Sequence, residues 1–308
     1  MKEKDFINNI KAILNSSYIG DDCAYLKELN ITVTQDSLVE DVHFSRNFAT
    51  PYQIGFKSVA VNISDICASG AEPKYLTVAL SIPKSTGNKF IEEFYKGAKA
   101  AANGAEIVGG DITGADKIYI SVCAIGTTNG RKISSRACAK IGQKIVISGL
   151  HGSSGAGLNI LSGKYPKTLF NSKERERLIE AHLMPKVQYD FSKQIALSQK
   201  SDYAMMDTSD GLADALCSIS DASDVLMEID IDKIPHDKAI EKIGNYENLI
   251  LYGGEDYGLI GTADEPENFT VIGEVKKGNG LKINYPNHNS KIITKKELEN
   301  NLYNHFKE

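Results

Sequence analysis

Hydrophobic residues recur at helical spacing from position 57 to 71, KSVAVNISDICASGA, and this pattern predicts a buried helix. Another line of the same helix carries small oxygen-bearing side chains, at Ser58, Asn62, Asp65 and Ser69. Asp65 is the only charged residue between Ser58 and Ala71. A carboxylate in an apolar helix needs a cation or hydrogen-bond donors. Taken alone, the stretch fits a functional Asp and an Asp that merely holds a neighbouring loop equally well.

Short apolar runs and amphipathic stretches alternate along the rest of the chain, which predicts an α+β (mixed α/β) protein. Strands are predicted at 31–35, 75–82, 118–126, 143–148, 203–206, 225–231, 257–261 and 269–275, and further helices at 6–14, 89–103, 173–183, 187–199, 211–219 and 295–306. The polar, basic stretch 127–142 is interpreted as a linker between two domains, 1–137 and 138–308. No Walker or Rossmann fingerprint is present.

The composition of the chain restricts the kinds of molecule that it is expected to bind. The chain has 308 residues, 42% of them hydrophobic, and a net charge of −5, so a basic surface for nucleic acid or anionic lipid is not expected. Its five dispersed cysteines lack the spacing of a disulfide framework or a zinc site. No apolar run approaches the length of a membrane span. We therefore expect a cytoplasmic protein with no nucleic-acid or membrane partner.

Short acidic stretches beside glycines recur through the chain and carry the candidate chemistry. They are GDDCA (20–24), TQDS (34–37), GGDIT (109–113), DTSDGL (207–212) and GGEDYG (253–258). The candidate ligands are Asp22, Asp36, Asp65, Asp111, Asp207 and Asp210. Carboxylates at loop ends suit Mg²⁺, whose remaining positions are commonly filled by water and phosphate. Clustered acids would repel a phosphorylated substrate unless cations stood between them. The pattern thus predicts magnesium-dependent phosphate chemistry.

Other acidic sites fit the spacing less well. An EF-hand would need Gly211 further from Asp207, and a glycosidase pair would leave most of the acids unexplained. Three glycine-containing turns, at 109–110, 209–211 and 152–157, could present backbone N–H groups to phosphate, although glycine before a helix is often only a turn residue. Arg136 could clamp a phosphate or be a solvated linker residue.

In order and spacing these motifs resemble the thiamine-monophosphate kinase family. Its superfamily includes aminoimidazole ribonucleotide synthetase, selenophosphate synthetase and a hydrogenase-maturation protein. The resemblance runs nearly end to end, through GDDCAYL (20–26), TQDSLVEDVHF (34–44), VNISDICASGAEP (61–73), GGDIT, SSR (134–136), MDTSDGL (206–212), GGEDYG and YNHF (303–306). It implies an aminoimidazole ribonucleotide synthetase-like fold. In that fold an N-terminal mixed-sheet domain forms a barrel across a homodimer, and an α/β sandwich domain follows.

The resemblance further implies in-line transfer of the γ-phosphoryl group of ATP to thiamine monophosphate, assisted by several Mg²⁺ ions and without a covalent intermediate. By position it implies metal ligands at Asp22, Thr34, Gln35, Asp36, Asp65, Asp111, Asp207 and Asp210, of which Asp65, Asp111, Asp207 and Asp210 are the catalytic candidates. It implies nucleotide contacts at Gly110, Asp111, Arg136 and Ser209, and thiamine contacts at His43, Glu255 and Tyr303.

Two positions depart from the family pattern. Gln35 replaces a Thr, so a metal ligand there would need the Gln amide oxygen or the backbone carbonyl. Gly258 replaces a Glu, which could loosen the substrate side of the pocket. The alternatives are another ATP-using enzyme of the superfamily, such as an aminoimidazole ribonucleotide synthetase, and a non-catalytic dimer that binds magnesium and nucleotide.

Overall fold

The computed structural model describes residues 3–303, and within them two sheets are covered by helices. The helices are α1 (Glu3–Leu14), α2 (Pro51–Ala68), α3 (Asn88–Ala102), α4 (Ser153–Leu161), α5 (Ser172–Leu183), α6 (Tyr189–Ser198), α7 (Leu212–Ser223), α8 (Tyr246–Tyr252) and α9 (Lys295–Asn301). The strands are β1 (Ala24–Leu26), β2 (Ile31–Val39), β3 (Glu72–Ile82), β4 (Glu106–Gly114), β5 (Tyr119–Thr127), β6 (Lys144–Ile147), β7 (Met205–Asp207), β8 (Leu226–Asp230), β9 (Leu259–Ala263), β10 (Thr270–Lys276), β11 (Gly280–Asn284) and β12 (Ser290–Ile293).

The first sheet has the strand order β1-β2-β5-β3-β4, and only its β3–β4 pair is parallel. Alternate residues of β5, including Ile120 and Val122, are buried beneath α2, which packs against β5 and β2. The other face of the sheet is open, and we call it the open face. Ser121 lies on it, between two residues that point the other way.

Helix α2 forms where the sequence predicts a buried helix and begins six residues earlier than predicted. Thr50 and Gln53 form a capping box, and Pro51 occupies the first turn. Gly55 of α2 and Gly97 of α3 let the two helices approach closely. A Cβ at Gly55 would stand 2.0 Å from the Phe94 carbonyl oxygen, and one at Gly97 1.9 Å from the Tyr52 carbonyl oxygen. The close crossing fixes α2, and Asp65 with it, over the sheet.

The second sheet is built from strands after residue 143 and has the order β12-β11-β8-β10-β6-β9-β7. Its last strand, β7, also packs against α2. The hydrophobic core of the first half accordingly includes Val146, Tyr203 and Leu259 from the second. The mixed α/β, two-sheet architecture confirms the predicted fold class. The boundary at 137/138 lies in a short 3-10 helix, Arg136–Cys138, between the sheets; that boundary and the barrel across a dimer stay predictions.

Several local predictions differ from the structure. GGDIT lies inside strand β4, so the prediction of a glycine-rich turn there, with N–H groups at a helix start, is wrong. Asp36 lies in the middle of β2 rather than at its end. The final helix ends at Asn301, and positions 304–306 of both that predicted helix and the YNHF motif lie outside the described residues. Between residues 3 and 303, no helix combines the length and the apolar character needed to cross a membrane.

Candidate active site

Two hydrogen bonds join helix α2 to strand β2 at Asp65 and Asn62. The Thr34 hydroxyl donates to Asp65 Oδ2 at 2.7 Å. One turn earlier in α2, the Asn62 Oδ1 atom accepts the backbone N–H of Asp36 at 2.8 Å. Thr34 and Asp36 are two residues apart on β2, so both face α2. Within the line of small polar side chains predicted on α2, Asn62 and Asp65 are therefore the residues that meet β2.

Three carboxylates from distant segments converge beside this contact. One ligand oxygen each from Asp22, Asp65 and Asp207 lies within 4.8 Å of the other two. Asp22 precedes β1, and Asp207 ends β7 of the second sheet. The Ser64 hydroxyl donates to Asp207 Oδ2 at 2.7 Å, so α2 orients two of the three acids through adjacent residues. We call these three residues the acid cluster.

Burial and mutual repulsion disfavour the charged forms of the acid cluster. Burial raises the pKa of Asp22 to about 7, although Arg136 opposes the shift. Burial, and after it the charges of Asp36, Asp207 and Asp22, raises the pKa of Asp65 well above its usual range. Burial also raises the pKa of Asp207. A divalent cation among these oxygens would remove the repulsion, and carboxylate oxygen is the donor that Mg²⁺ prefers. The donor set therefore fits the predicted ion.

Arg136 is the cation that lies beside the acid cluster. Its Nη2 atom donates to Asp22 Oδ1 at 2.6 Å, and its Nε is buried and donates no hydrogen bond within the described residues. The alternative prediction, that Arg136 is a solvated linker residue, is wrong, because only 22% of its side chain is exposed. A cavity of about 600 Å³ lined by Asp21, Asp22 and Ser134 opens next to it.

Two predicted thiamine contacts, His43 and Glu255, meet at a third residue that the sequence analysis does not single out. Lys57 Nζ lies 2.7 Å from Glu255 Oε1 and donates to the His43 carbonyl oxygen at 3.2 Å. His182 Nδ1 lies 3.5 Å from the other oxygen of Glu255. The sequence marks Lys57 only as the first residue of the apolar stretch 57–71, where a lysine is ordinarily exposed.

The glycine at position 258 has a local structural reason. A Cβ there would stand 2.6 Å from the Ser148 carbonyl oxygen and 2.7 Å from Cε1 of the buried His151. Any side chain would collide with this pair. Gly258, where the family pattern has Glu, therefore occurs together with His151, which fills the space behind the loop. Nearby, the Gly152 and Ser154 N–H groups of α4 donate to Asp256, so the Asp256 carboxylate takes the place predicted for phosphate in the turn at 152–157.

Four predicted site side chains are exposed and do not belong to the acid cluster. Gln35 points to the open face, where its amide donates to Ser121 at 3.0 Å. Its amide oxygen is therefore not placed to bind a metal beside Asp65, and only its backbone carbonyl is left as a possible ligand. Asp111 is exposed and pairs in register with Ala79, the partner of Ser121, so it also lies on the open face. Asp210 is exposed, and Tyr303 is 71% exposed. Their assigned roles stay predictions.

Comparison with known proteins decides the family. The family model for the N-terminal domain of AIR synthase related protein matches residues 20–128, and that for its C-terminal domain matches 140–286. The thiamine-monophosphate kinase of Aquifex aeolicus is 35% identical over 91% of this chain and 93% of its own length. That of Bacillus subtilis is 34% identical over 100% of both. This chain belongs to the thiamine-monophosphate kinase family.

A solved structure of the family supports the same fold. The structure of AaThiL complexed with AMPPCP and TMP superposes with a TM-score of 0.86 at 32% identity, covering 99% of this chain and 97% of that one. Membership of the thiamine-monophosphate kinase family makes the chain a kinase. Within this family fold, α2 joins the two ends of the site. Lys57 and Ser64 are seven residues apart, or about 10 Å along the helix axis, so the Glu255 end and the acid cluster are two turns from each other.

Because burial, together with repulsion among the carboxylates, raises the pKa values of the acid cluster, we expect the metal-free kinase to lose stability as pH rises from about 6.5 to about 8. A raised carboxyl pKa means that the folded state keeps a proton that the unfolded chain has lost, so stability falls with pH until the folded pKa is passed. Asp22 alone, with a pKa of about 7, contributes about 1 kcal/mol over this range. The buried His151 and His182, each with a pKa lowered to about 4, act in the opposite direction only below about pH 6.5.

Thermal unfolding in chelator and in saturating Mg²⁺ measures this effect. Mg²⁺ should raise the melting temperature more at the higher pH, because protons compete with the ion at the lower one. An equal effect of Mg²⁺ at both values would show that the acid cluster is not where the ion binds.

Proposed function

We propose that this kinase transfers the γ-phosphoryl group of ATP to thiamine monophosphate, in line and without a covalent enzyme intermediate, forming thiamine diphosphate and ADP. The observation that carries the proposal is the convergence of Asp22, Asp65 and Asp207 from three distant segments. Family membership supports it, since a related structure contains AMPPCP and TMP. The attacking group is a phosphate oxygen that is already anionic at neutral pH. The reaction therefore needs positioning and charge neutralisation rather than a general base.

The residues that would hold Mg²⁺ are the acid cluster, with Thr34, Asp36 and the backbone carbonyl of Gln35 beside it on β2. When bound, the ions supply positive charge that lets phosphate groups approach the carboxylates and that stabilises charge on the transferring phosphoryl group. The chain's own contribution is to fix the carboxylates in advance. Asp65 accepts from Thr34 and Asp207 from Ser64, so neither side chain must be ordered when substrates bind.

Other residues bind and orient the two substrates. Arg136 is held by Asp22, and its buried Nε has no hydrogen-bond acceptor in the part of the chain that the structure describes, which suits a nucleotide phosphate. The Ser209 carbonyl accepts the Glu255 N–H at 2.7 Å, so a predicted nucleotide contact and a predicted thiamine contact share one hydrogen bond. The Glu255 carboxylate suits the cationic thiazolium ring. His43 Nδ1 accepts the Val39 N–H at 3.0 Å, so its Nε2 carries the proton of the neutral ring.

We also propose a homodimer that uses the open face, because this gives Asp111 and Gly110 a role. Tyr75 and Tyr119 are exposed on that face, and exposed apolar residues of this kind mediate association. The edge strand β4 also exposes Val108 and Ile112, and an unpaired sheet edge offers a further place for a second copy to bind. Asp111 lies on the same face, away from the acid cluster of its own chain. We propose that it contributes to the metal and nucleotide site of the second copy.

Incubation with ATP, Mg²⁺ and thiamine monophosphate tests the function directly. We expect mass spectrometry to detect thiamine diphosphate and ADP in equal amounts, and no product when chelator replaces Mg²⁺. Free thiamine serves as a control acceptor that lacks the phosphate nucleophile. Turnover of an aminoimidazole ribonucleotide precursor without turnover of thiamine monophosphate would contradict the proposal in favour of the related synthetase. Nucleotide binding with neither product would contradict it in favour of a non-catalytic dimer.

A further inference from the structure

Lys57 is a buried cation at the boundary between the two halves of the chain. Its side chain is only 3% exposed, and its ammonium group lies 2.7 Å from Glu255 Oε1. Lysine is seldom buried without a partner, because the desolvated charge is costly. The second polar contact of Nζ is the backbone carbonyl oxygen of His43. Helix α2 thus uses one side chain to hold both the turn that carries His43 and the loop that carries Glu255.

The loop that carries Glu255 needs to be held in place. Glu255 has a φ of 64°, and Tyr257 a φ of 50°, so two residues with side chains adopt the left-handed conformation within three positions. This conformation is unfavourable for such residues and persists only where surrounding contacts enforce it. Contacts that fix Glu255 include its N–H bond to the Ser209 carbonyl and its ion pair with Lys57, with His182 Nδ1 3.5 Å from its other carboxylate oxygen.

The groups that face Glu255 come from several elements. Lys57 belongs to α2, His182 to α5 and His43 to the turn after β2, while Asp256 is its neighbour in the loop. Although burial works to raise the pKa of Glu255, the charge of Lys57 above all keeps this pKa below its usual range. His182, with a pKa of about 4, is itself neutral at physiological pH. Lys57 is therefore the permanent cation that keeps Glu255 ionised.

We propose that Lys57 is a positioning residue for the acceptor substrate, acting through Glu255. It fixes the Glu255 carboxylate in an ionised form and in a geometry that accepts the cationic ring of the substrate, and it locks the His43 turn to the same point. The inference rests on the proposed function, in which Glu255 meets the thiazolium ring. The side chain of Glu255 is 26% exposed, so one side of the carboxylate stays open to a ligand while Lys57 covers the other.

The test compares Lys57→Met with the wild-type enzyme, using thiamine monophosphate, ATP and Mg²⁺ from about pH 6 to about pH 9. We expect the KM for thiamine monophosphate to rise about tenfold or more, because a buried carboxylate loses its partner. The KM for ATP should stay within about twofold, because the proposed nucleotide contacts do not include Glu255. In this variant kcat/KM should increase with pH, since Glu255 then ionises only at higher pH. The wild-type value should not show this dependence.

Matched variants separate positioning from general damage. Lys200 forms an ion pair of the same length with Glu265, but 82% of its side chain is exposed, so Lys200→Met should match the wild type. Lys57→Met combined with Glu255→Gln should keep the raised KM and lose the pH dependence, because no ionisable carboxyl remains. Lys57→Arg should keep the wild-type pH profile while raising KM, because it preserves the charge and alters the geometry.

Unchanged KM and an unchanged pH profile in Lys57→Met would overturn the proposal. If that variant fails to fold, Lys57→Arg and the double variant decide the question, and wild-type KM values in both would equally overturn it. Calorimetric binding of thiamine monophosphate in the presence of AMPPCP separates the two levels of inference. A wild-type enzyme that neither binds nor phosphorylates the monophosphate contradicts the proposed function. Normal wild-type behaviour with an unaffected Lys57→Met contradicts only the role of Lys57.

Discussion

Asp65→Asn is expected to reduce kcat at least about a thousandfold while leaving the fold intact. Asp65 is the central member of the acid cluster, since Asp36, Asp207 and Asp22 all act on its pKa. An amide keeps the shape and can still accept the Thr34 hydrogen bond, but it lacks the negative charge that the proposed ions require. In the metal-free protein, the same change removes a source of repulsion. We therefore expect a melting temperature at least equal to that of the wild type.

Steady-state kinetics and thermal unfolding in chelator give the two readouts for Asp65→Asn. A suitable control is Asp224→Asn, because Asp224 is exposed and has a left-handed backbone with a φ of 52° that asparagine tolerates well. This control should match the wild type in both measurements. A variant at Asp65 that turns over at the wild-type rate would contradict the metal role assigned to this residue, and an inactive but strongly destabilised one would indicate a structural role instead.

Asp111→Asn and Asp65→Asn are each expected to be inactive alone and to restore activity when the two chains are mixed in one dimer. If Asp111 contributes to the site that contains the acid cluster of the other chain, a mixed dimer has one site with both substitutions and one site with neither. Under random pairing about half of the dimers are mixed, so about a quarter of the wild-type activity should return. Co-expression with two affinity tags, followed by tandem purification, isolates the mixed dimer, which should show about half of the wild-type activity.

The matched control for this experiment is a mixed dimer in which one chain carries Asp65→Asn and the other carries Asp207→Asn. Both residues belong to the acid cluster of one chain, so every site in that mixed dimer carries one lesion and no activity should return. Recovery in the first pair and not in the second would support a shared site. Absence of recovery in the first pair, with a dimer of normal stability, would contradict the shared site and require Asp111 to act within its own chain or not at all.

Helices with strong periodicity could be predicted from the sequence because their signals are local. For α3, the prediction of 89–103 differs by one residue at each end from Asn88–Ala102, and the helix is followed by Asn103 in the left-handed conformation. The line of polar residues on α2 was also predictable, because helical spacing alone places Asn62 and Asp65 on one side. The sequence could not indicate that the partner of this line is β2.

Strand β4 shows where local signals mislead. Two glycines before an acid normally indicate a turn, yet Gly109 and Gly110 continue a strand because β3 pairs with them in parallel register. A Cβ at Gly110 would lie 1.8 Å from the Val78 carbonyl oxygen, so glycine serves close backbone approach here. That requirement depends on the neighbouring strand, where the partner of Gly110 is Val78, 32 residues earlier in the sequence. Sequence periodicity carries no such information.

The acids of the site could be predicted from the sequence better than the residues that orient them. Asp22, Asp65 and Asp207 stand out as acids among apolar and glycine residues, and they converge. Ser64 and Lys57 gave no comparable signal, because a serine or a lysine in a helix is ordinarily exposed. Their importance depends on Asp207 and Glu255, which the chain brings to α2 only through the packing of the second half on the first.

Diffraction from crystals grown with Mn²⁺ and AMPPCP, with anomalous data collected for manganese, tests the central claim most directly. Mn²⁺ shares the oxygen preference of Mg²⁺ and can be located by its anomalous signal. We expect the anomalous peaks to locate manganese ions bound by the carboxylates of Asp22, Asp65 and Asp207, with phosphate oxygens of the nucleotide bound to the same ions. Manganese bound elsewhere, with nucleotide present and the three carboxylates contacting no ion, would contradict it.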